Sequence, residues 1–122
     1  MYDEFIEVAR HEIQMELIAL GDIITYCSND EQIFQTSKDV VKHIHKIKGL
    51  APMMGQDDVG KIAKISETVL KYIIEHGSLI GSYKFIVESI ESMKNLFSGK
   101  QNIFVDDFIK RSQATFTQIS SW

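Results

Sequence analysis

One stretch of the chain, residues 45–55, combines residue types that could do chemistry: His-Lys-Ile-Lys-Gly-Leu-Ala-Pro-Met-Met-Gly. A neutral imidazole nitrogen is a good nucleophile toward phosphorus and needs less activation than a hydroxyl group. Lys48 follows His45 by one helical turn, where its ammonium group could contact phosphoryl oxygens. Gly49 removes a side chain that would cover the ring, although glycine inside a helix costs roughly 0.5–1 kcal/mol relative to alanine. These residues predict a site that can hold a phosphoryl group on His45.

Helical geometry predicts which residues surround His45. At about 100° per residue, five positions share its side of a helix: Val41, Lys42, Lys48, Gly49 and Pro52. The apolar stripe formed by Ile44, Ile47, Ala51 and Met54 points the other way, so His45 should lie between core and solvent. We therefore expect a partner-binding surface bordered by Val41, Lys42, Lys46 and Pro52.

The elements that must position this site are predicted to be helices. Apolar residues recur at intervals of three and four along most of the chain, as in Phe5, Ala9, Ile13 and Leu17. The predicted helices span about residues 2–27, 32–54, 57–76, 82–97 and 103–119, with a turn before the second that Asp30 could cap. Short connections favour antiparallel neighbours. The prediction is an all-α fold: one domain, residues 1–122, built as an antiparallel up-and-down four-helix bundle with an additional C-terminal helix.

Composition narrows the classes of function. With 13 Lys and Arg against 17 Asp and Glu, the formal net charge is −4, which argues against sequence-independent binding of nucleic acid. A single cysteine excludes an internal disulfide and favours a reducing compartment. No apolar run approaches the roughly 18–20 residues that span a bilayer, so we expect no membrane partner and a cytoplasmic location.

The pattern His-x-Ile-Lys-Gly-x-Ala, ended by Gly55, resembles the signature of histidine phosphotransfer domains. These include the N-terminal phosphoacceptor domain of chemotaxis kinases of the CheA type. The resemblance implies that His45 accepts a phosphoryl group from a histidine kinase catalytic domain or a receiver aspartate. It also implies that a response-regulator receiver domain takes the group and supplies Mg²⁺. In the CheA-like branch a glutamate on the third helix hydrogen-bonds the other ring nitrogen, and alignment without gaps places Glu67 there.

The chain departs from that family at two positions. Lys64 stands where chemotaxis kinases often carry another histidine, and Pro52 stands where a small or polar residue is more common. The first departure weakens the link to the chemotaxis branch, and the second could alter the helix near His45.

Other interpretations of these residues remain open at this stage. His45 could be an inconsequential surface histidine, and the chain could be a helical adaptor or dimerisation module that is never phosphorylated. His43 lies about 200° around the helix from His45, so the two histidines should not share a metal site. Glu12 and Glu16 are predicted to lie on a solvated helix face. No nucleotide-binding motif is visible, so we expect a phosphoryl carrier with no ATP site, cofactor or metal of its own rather than an enzyme.

Overall fold

The computed structural model describes residues 2–100 and 104–122. Over these residues the chain is helical and contains no strand, so the all-α prediction is confirmed. No helix in this part of the chain is long and apolar enough to cross a bilayer. The described residues form five α-helices: α1 (Tyr2–Thr25), α2 (Asp30–Leu50), α3 (Asp57–His76), α4 (Ser82–Phe97) and α5 (Val105–Thr115).

The helix ends differ from the predicted ends where local chemistry stops or extends a helix. The α-helical part of α2 ends at Leu50, and residues Pro52–Met54 form a short 3₁₀ turn, because Pro52 has no N–H to donate to a preceding carbonyl. Gly55 then adopts a left-handed conformation, with φ at 74°, and closes this turn. The last helix ends at Thr115, four residues early, and its predicted start at residue 103 lies outside the described residues.

The core follows the predicted apolar stripes closely. The apolar residues that recur at helical spacing in α3 are buried, and α3 packs against α2, α4 and α5. Helix α1 packs against α2 and α4. One core prediction is wrong: Phe5, near the start of α1, remains 44% exposed. The buried predicted positions of α2 and α3 are Ile33, Val40, Ile44, Ile47, Ala51, Val59, Ile62, Ala63, Ile65, Val69, Leu70 and Ile73.

An aspartate at the start of α2 joins two helix N-termini. Asn29, not Asp30, caps α2, since its Oδ1 accepts a hydrogen bond from the Gln32 N–H at 2.9 Å. Asp30 instead accepts hydrogen bonds from the Gly81 N–H at 3.0 Å and the Tyr83 N–H at 2.8 Å. Its carboxylate thus satisfies donors at the positive end of α4. The N-termini of α2 and α4 therefore lie side by side.

Candidate functional site

His45 lies near the C-terminal end of α2 and is open to solvent. Its side chain is 67% exposed, whereas Ile44 and Ile47 on the same helix are fully buried. These two core contacts fix the backbone of α2 on either side of His45. The imidazole is therefore attached to a rigid support while most of its surface stays accessible to another molecule.

A buried carboxylate from the neighbouring helix holds one nitrogen of the ring. The Glu67 side chain, on α3, is only 4% exposed, and its Oε2 lies 3.0 Å from His45 Nδ1. Burial raises the pKa of Glu67, but hydrogen bonds from Lys71, His45 and Lys48 outweigh it and bring the pKa below the ordinary value of 4.5. Glu67 is therefore a carboxylate at neutral pH, and a carboxylate only accepts hydrogen bonds.

The charge of Glu67 determines the tautomer of the neutral ring. Because Glu67 accepts, His45 Nδ1 must carry the proton and donate it toward Oε2. The second ring nitrogen, Nε2, then has an unshared electron pair. The arrangement thus presents a nucleophilic nitrogen on an exposed ring and stabilises positive charge that develops on that ring.

Two lysines share the other oxygen of Glu67. Lys48 Nζ lies 3.3 Å from Oε1, and Lys71 Nζ lies 2.7 Å from the same atom. Lys48 was predicted to lie beside a phosphoryl group, and in the structure its amine contacts the carboxylate that holds His45. Lys71 was missed, although the spacing of Glu67 and Lys71, four residues apart on one helix, is a recognisable signal for an ion pair.

Gly49 leaves open space next to His45. A Cβ atom added to Gly49 would meet nothing within 4 Å, so packing within the described chain does not require glycine there. Gly60 on α3 shows the opposite case, because its added Cβ would lie only 3.2 Å from Pro52 Cγ. Gly60 thus favours the close approach of α3 to the turn after α2, whereas Gly49 keeps the surface beside the imidazole clear.

The four residues predicted to border a partner surface have different environments. Lys42 and Pro52 are exposed, and Val41 is half-buried against the core. Lys46 is exposed along most of its length, but its Nζ lies 3.3 Å from Glu16 Oε1. Within the described residues, none of these four side chains forms a hydrogen bond or ion pair with His45 or Glu67.

A second glutamate, Glu16, is buried although the sequence predicted a solvated position. Glu16 on α1 is 7% exposed rather than solvated, and it binds His43 Nδ1 as well as Lys46. The pattern His-x-x-Lys therefore occurs twice on α2, as His43 with Lys46 and as His45 with Lys48. The first pair binds Glu16 on α1, and the second pair binds Glu67 on α3. Glu16 lies three residues after Ile13 and four before Leu20 on α1, but only its contacts with α2 show that it is covered. His43 is 28% exposed, so its ring is much less accessible than that of His45.

An apolar hollow borders the exposed histidine. Phe5, Val8 and Met53 are 44%, 68% and 54% exposed, and they line this hollow together with His45 and Gly49. The apolar period of α1 places Phe5 on the stripe that continues into the core, but the structure shows Phe5 on this exposed surface. The hollow arises because α1 lies alongside the end of α2, so that apolar side chains from both segments surround one surface.

No group of three or more potential metal ligands occurs among the residues that the structure describes. No protein-family model matches the chain, and no curated protein and no solved structure gives a significant match.

Proposed function

We propose that this chain is a histidine phosphotransfer domain of a two-component or chemotaxis-like relay. His45 carries the phosphoryl group between a histidine kinase, or the aspartyl phosphate of a receiver, and a response-regulator receiver domain. The observation that carries the proposal is the exposed His45 ring whose Nδ1 is held by the buried Glu67 carboxylate. The chain acts as a carrier, and the nucleotide and Mg²⁺ belong to its partners.

The chemistry follows from the protonation state of the ring. His45 Nε2 attacks the phosphorus atom of the donor, forming an N–P bond as the bond to the leaving oxygen of ADP or aspartate breaks. The ring gains positive charge, which the Glu67 carboxylate stabilises through the Nδ1 proton. In the second transfer a receiver carboxylate attacks the phosphorus and the N–P bond breaks, returning the electron pair to Nε2.

The proposed architecture is an up-and-down four-helix bundle of α1 to α4, with α5 packed outside on α3. Two observations support this arrangement. Helices α1 and α3 each contact both α2 and α4, as expected for alternate members of a four-membered ring. In addition, Asp30 joins the N-termini of α2 and α4, as expected if these two helices run in the same direction.

The apolar hollow beside His45 is the proposed docking surface for the receiver. Its exposed apolar side chains, including Phe5, Val8 and Met53, line the same hollow as His45. Lys46 lines this surface, and Lys42 is exposed on the same helix as His45, so both can contribute positive charge to it. A receiver brings an acidic, Mg²⁺-binding site to the histidine, and Gly49 leaves room for its backbone.

The direct test is labelling with potassium phosphoramidate, a small phosphoryl donor that requires no partner, followed by ³¹P NMR. We expect an acid-labile phosphohistidine signal in the native chain and none in His45→Gln with unchanged helix content. His11→Gln is the matched control, because His11 is an exposed histidine on α1 and its loss should leave labelling intact. Persistent labelling of His45→Gln would falsify the assignment.

The alternative is an adaptor that binds a signalling partner without transferring phosphate. The same hollow supports it, since an exposed apolar surface can bind a partner with no help from the imidazole. The adaptor would be favoured if no donor phosphorylates the protein and if a receiver domain still binds the His45→Gln variant.

A further inference from the structure

We infer that Lys71 is a positioning residue that keeps Glu67 paired when Lys48 moves to the phosphoryl group. The inference rests on the proposed phosphotransfer function and extends it to a residue that the sequence analysis did not single out. Lys71 makes no bond to the reacting atoms. Its role is to allow one carboxylate to hold the ring and remain neutralised throughout the transfer.

The geometry divides the two oxygens of Glu67 between different tasks. Oε2 binds His45 Nδ1 at 3.0 Å, while Oε1 binds both lysines, Lys71 at 2.7 Å and Lys48 at 3.3 Å. The two ammonium groups therefore serve the same oxygen, and the shorter contact belongs to Lys71. Loss of the longer contact leaves every oxygen of this buried carboxylate with a hydrogen-bond partner.

The positions of the lysines on their helices determine which of them can move. Lys48 lies on α2, one turn from His45, so rotation about its side-chain bonds can carry Nζ toward a group attached to the ring. Lys71 lies on α3, one turn from Glu67, and its stem stays beside the carboxylate. Lys48 can therefore leave Glu67 and contact the phosphoryl group, whereas Lys71 stays bound to Glu67.

The charges favour this exchange. Before phosphorylation two ammonium groups surround one carboxylate, which gives the cluster an excess positive charge. A phosphoryl group adds roughly one and a half to two negative charges at neutral pH, and these attract the more loosely held Lys48. Removing the only cation beside a buried carboxylate would be costly, because the charge would be left uncompensated. Lys71 prevents that outcome, so Lys48 can leave Glu67.

The test compares phosphorylation rates with phosphoramidate in native protein, Lys71→Met, Lys48→Met and the double variant. We expect Lys71→Met to slow labelling about two- to fivefold, as for loss of one partly exposed ion pair. In the Lys48→Met background the same change removes the last lysine beside Glu67 and should lower stability. It should nevertheless alter the labelling rate of the folded protein less than about 1.5-fold, because no Lys48 remains to be released. Lys71→Arg should keep nearly the native rate.

Lys64→Met is the matched control, because Lys64 is exposed on α3 and lines the same surface groove as Lys71. Its loss removes the same charge and should leave the rate within about 1.5-fold of native. Circular dichroism checks that each variant is folded. Two results would overturn the inference and leave the proposed function intact. The first is that Lys71→Met slows labelling equally in native protein and in Lys48→Met. The second is that Lys71→Met slows labelling no more than Lys64→Met does. Native protein that no donor labels overturns both.

Discussion

Replacing Glu67 with glutamine tests the central contact of the site with almost no change in shape. Glu67 accepts hydrogen bonds from three donors: His45 Nδ1, Lys48 Nζ and Lys71 Nζ. Glutamine keeps one acceptor oxygen, but it replaces the other with an NH₂ group that must face one of those donors. The substitution also removes the negative charge that neutralises both lysines.

The loss of stability can be bounded from the exposure of each partner. Hydrogen bonds to charged groups contribute about 1.5–3 kcal/mol when well shielded. Lys48 and Lys71 are 37% and 64% exposed, however, so solvent reduces each of their ion pairs to about 1 kcal/mol or less. We expect Glu67→Gln to lower the free energy of unfolding by about 1–3 kcal/mol at pH 7, measured by urea denaturation.

The stability difference should depend on pH in a defined direction. The pKa of Glu67 in the folded chain lies below the ordinary value of 4.5, so the folded state binds this proton less readily than the unfolded state. The contribution is therefore complete above about pH 4.5 and is lost as the pH falls through the folded pKa. The gap between native protein and Glu67→Gln should narrow below pH 4.5, whereas a gap that stays constant into acid would contradict this account.

The effect on phosphoryl uptake follows from the same contact. Loss of one charge-assisted hydrogen bond to the ring, about 1.5 kcal/mol, corresponds to about a tenfold slower reaction with phosphoramidate. Glu75→Gln, on the exposed side of α3, is the control and should react at the native rate. If folded Glu67→Gln acquires label as fast as native protein, Glu67 does not assist His45.

Two further predictions concern the docking surface and the fold. Gly49→Ala should stabilise the chain by about 0.5–1 kcal/mol in urea, since the site has room for a methyl group. Gly49→Trp should leave labelling by phosphoramidate within about twofold but slow transfer to a receiver about tenfold, and equal slowing of both reactions would refute the clearance role. Asp30→Ala should destabilise the chain by about 1–2 kcal/mol through loss of the cap on α4. Exposed Asp39→Ala serves as its control, and equal denaturation midpoints would count against the cap.

The sequence predicted much of the site because several of its features are local. The 3.6-residue period of α2 fixes which side chains face the core, so the burial of Ile44 and Ile47 directs His45 away from the core. The same period places Lys48 one turn away and Gly49 beside the ring. Pro52 predicts an altered helix at this point without reference to any other element, because the missing N–H is a property of the residue itself, although the predicted helix continued to residue 54.

Predictions failed where burial depends on what a neighbouring helix provides. Periodicity gives the direction of a side chain but does not say whether another helix extends far enough to cover it. Phe5 points along the core stripe and is still exposed near the start of α1, whereas Glu16, read as solvated, is covered by α2. Asp30 has the chemistry of a local cap, but only the packing of the bundle brings the start of α4 within its reach.

The contact between His45 and Glu67 shows which part of the site the sequence determines and which part depends on the tertiary structure. Sequence alone determined an exposed imidazole with a cation one turn away, because residues of one helix keep fixed relative positions. Tertiary structure decided that a carboxylate 22 residues further along lies 3.0 Å from the ring and that Lys71 shares it. That outcome depends on how far α3 is shifted and rotated against α2, which the packing of their buried side chains sets. The periodicity of a single helix does not encode it, and the sequence pointed to Glu67 only through the family resemblance.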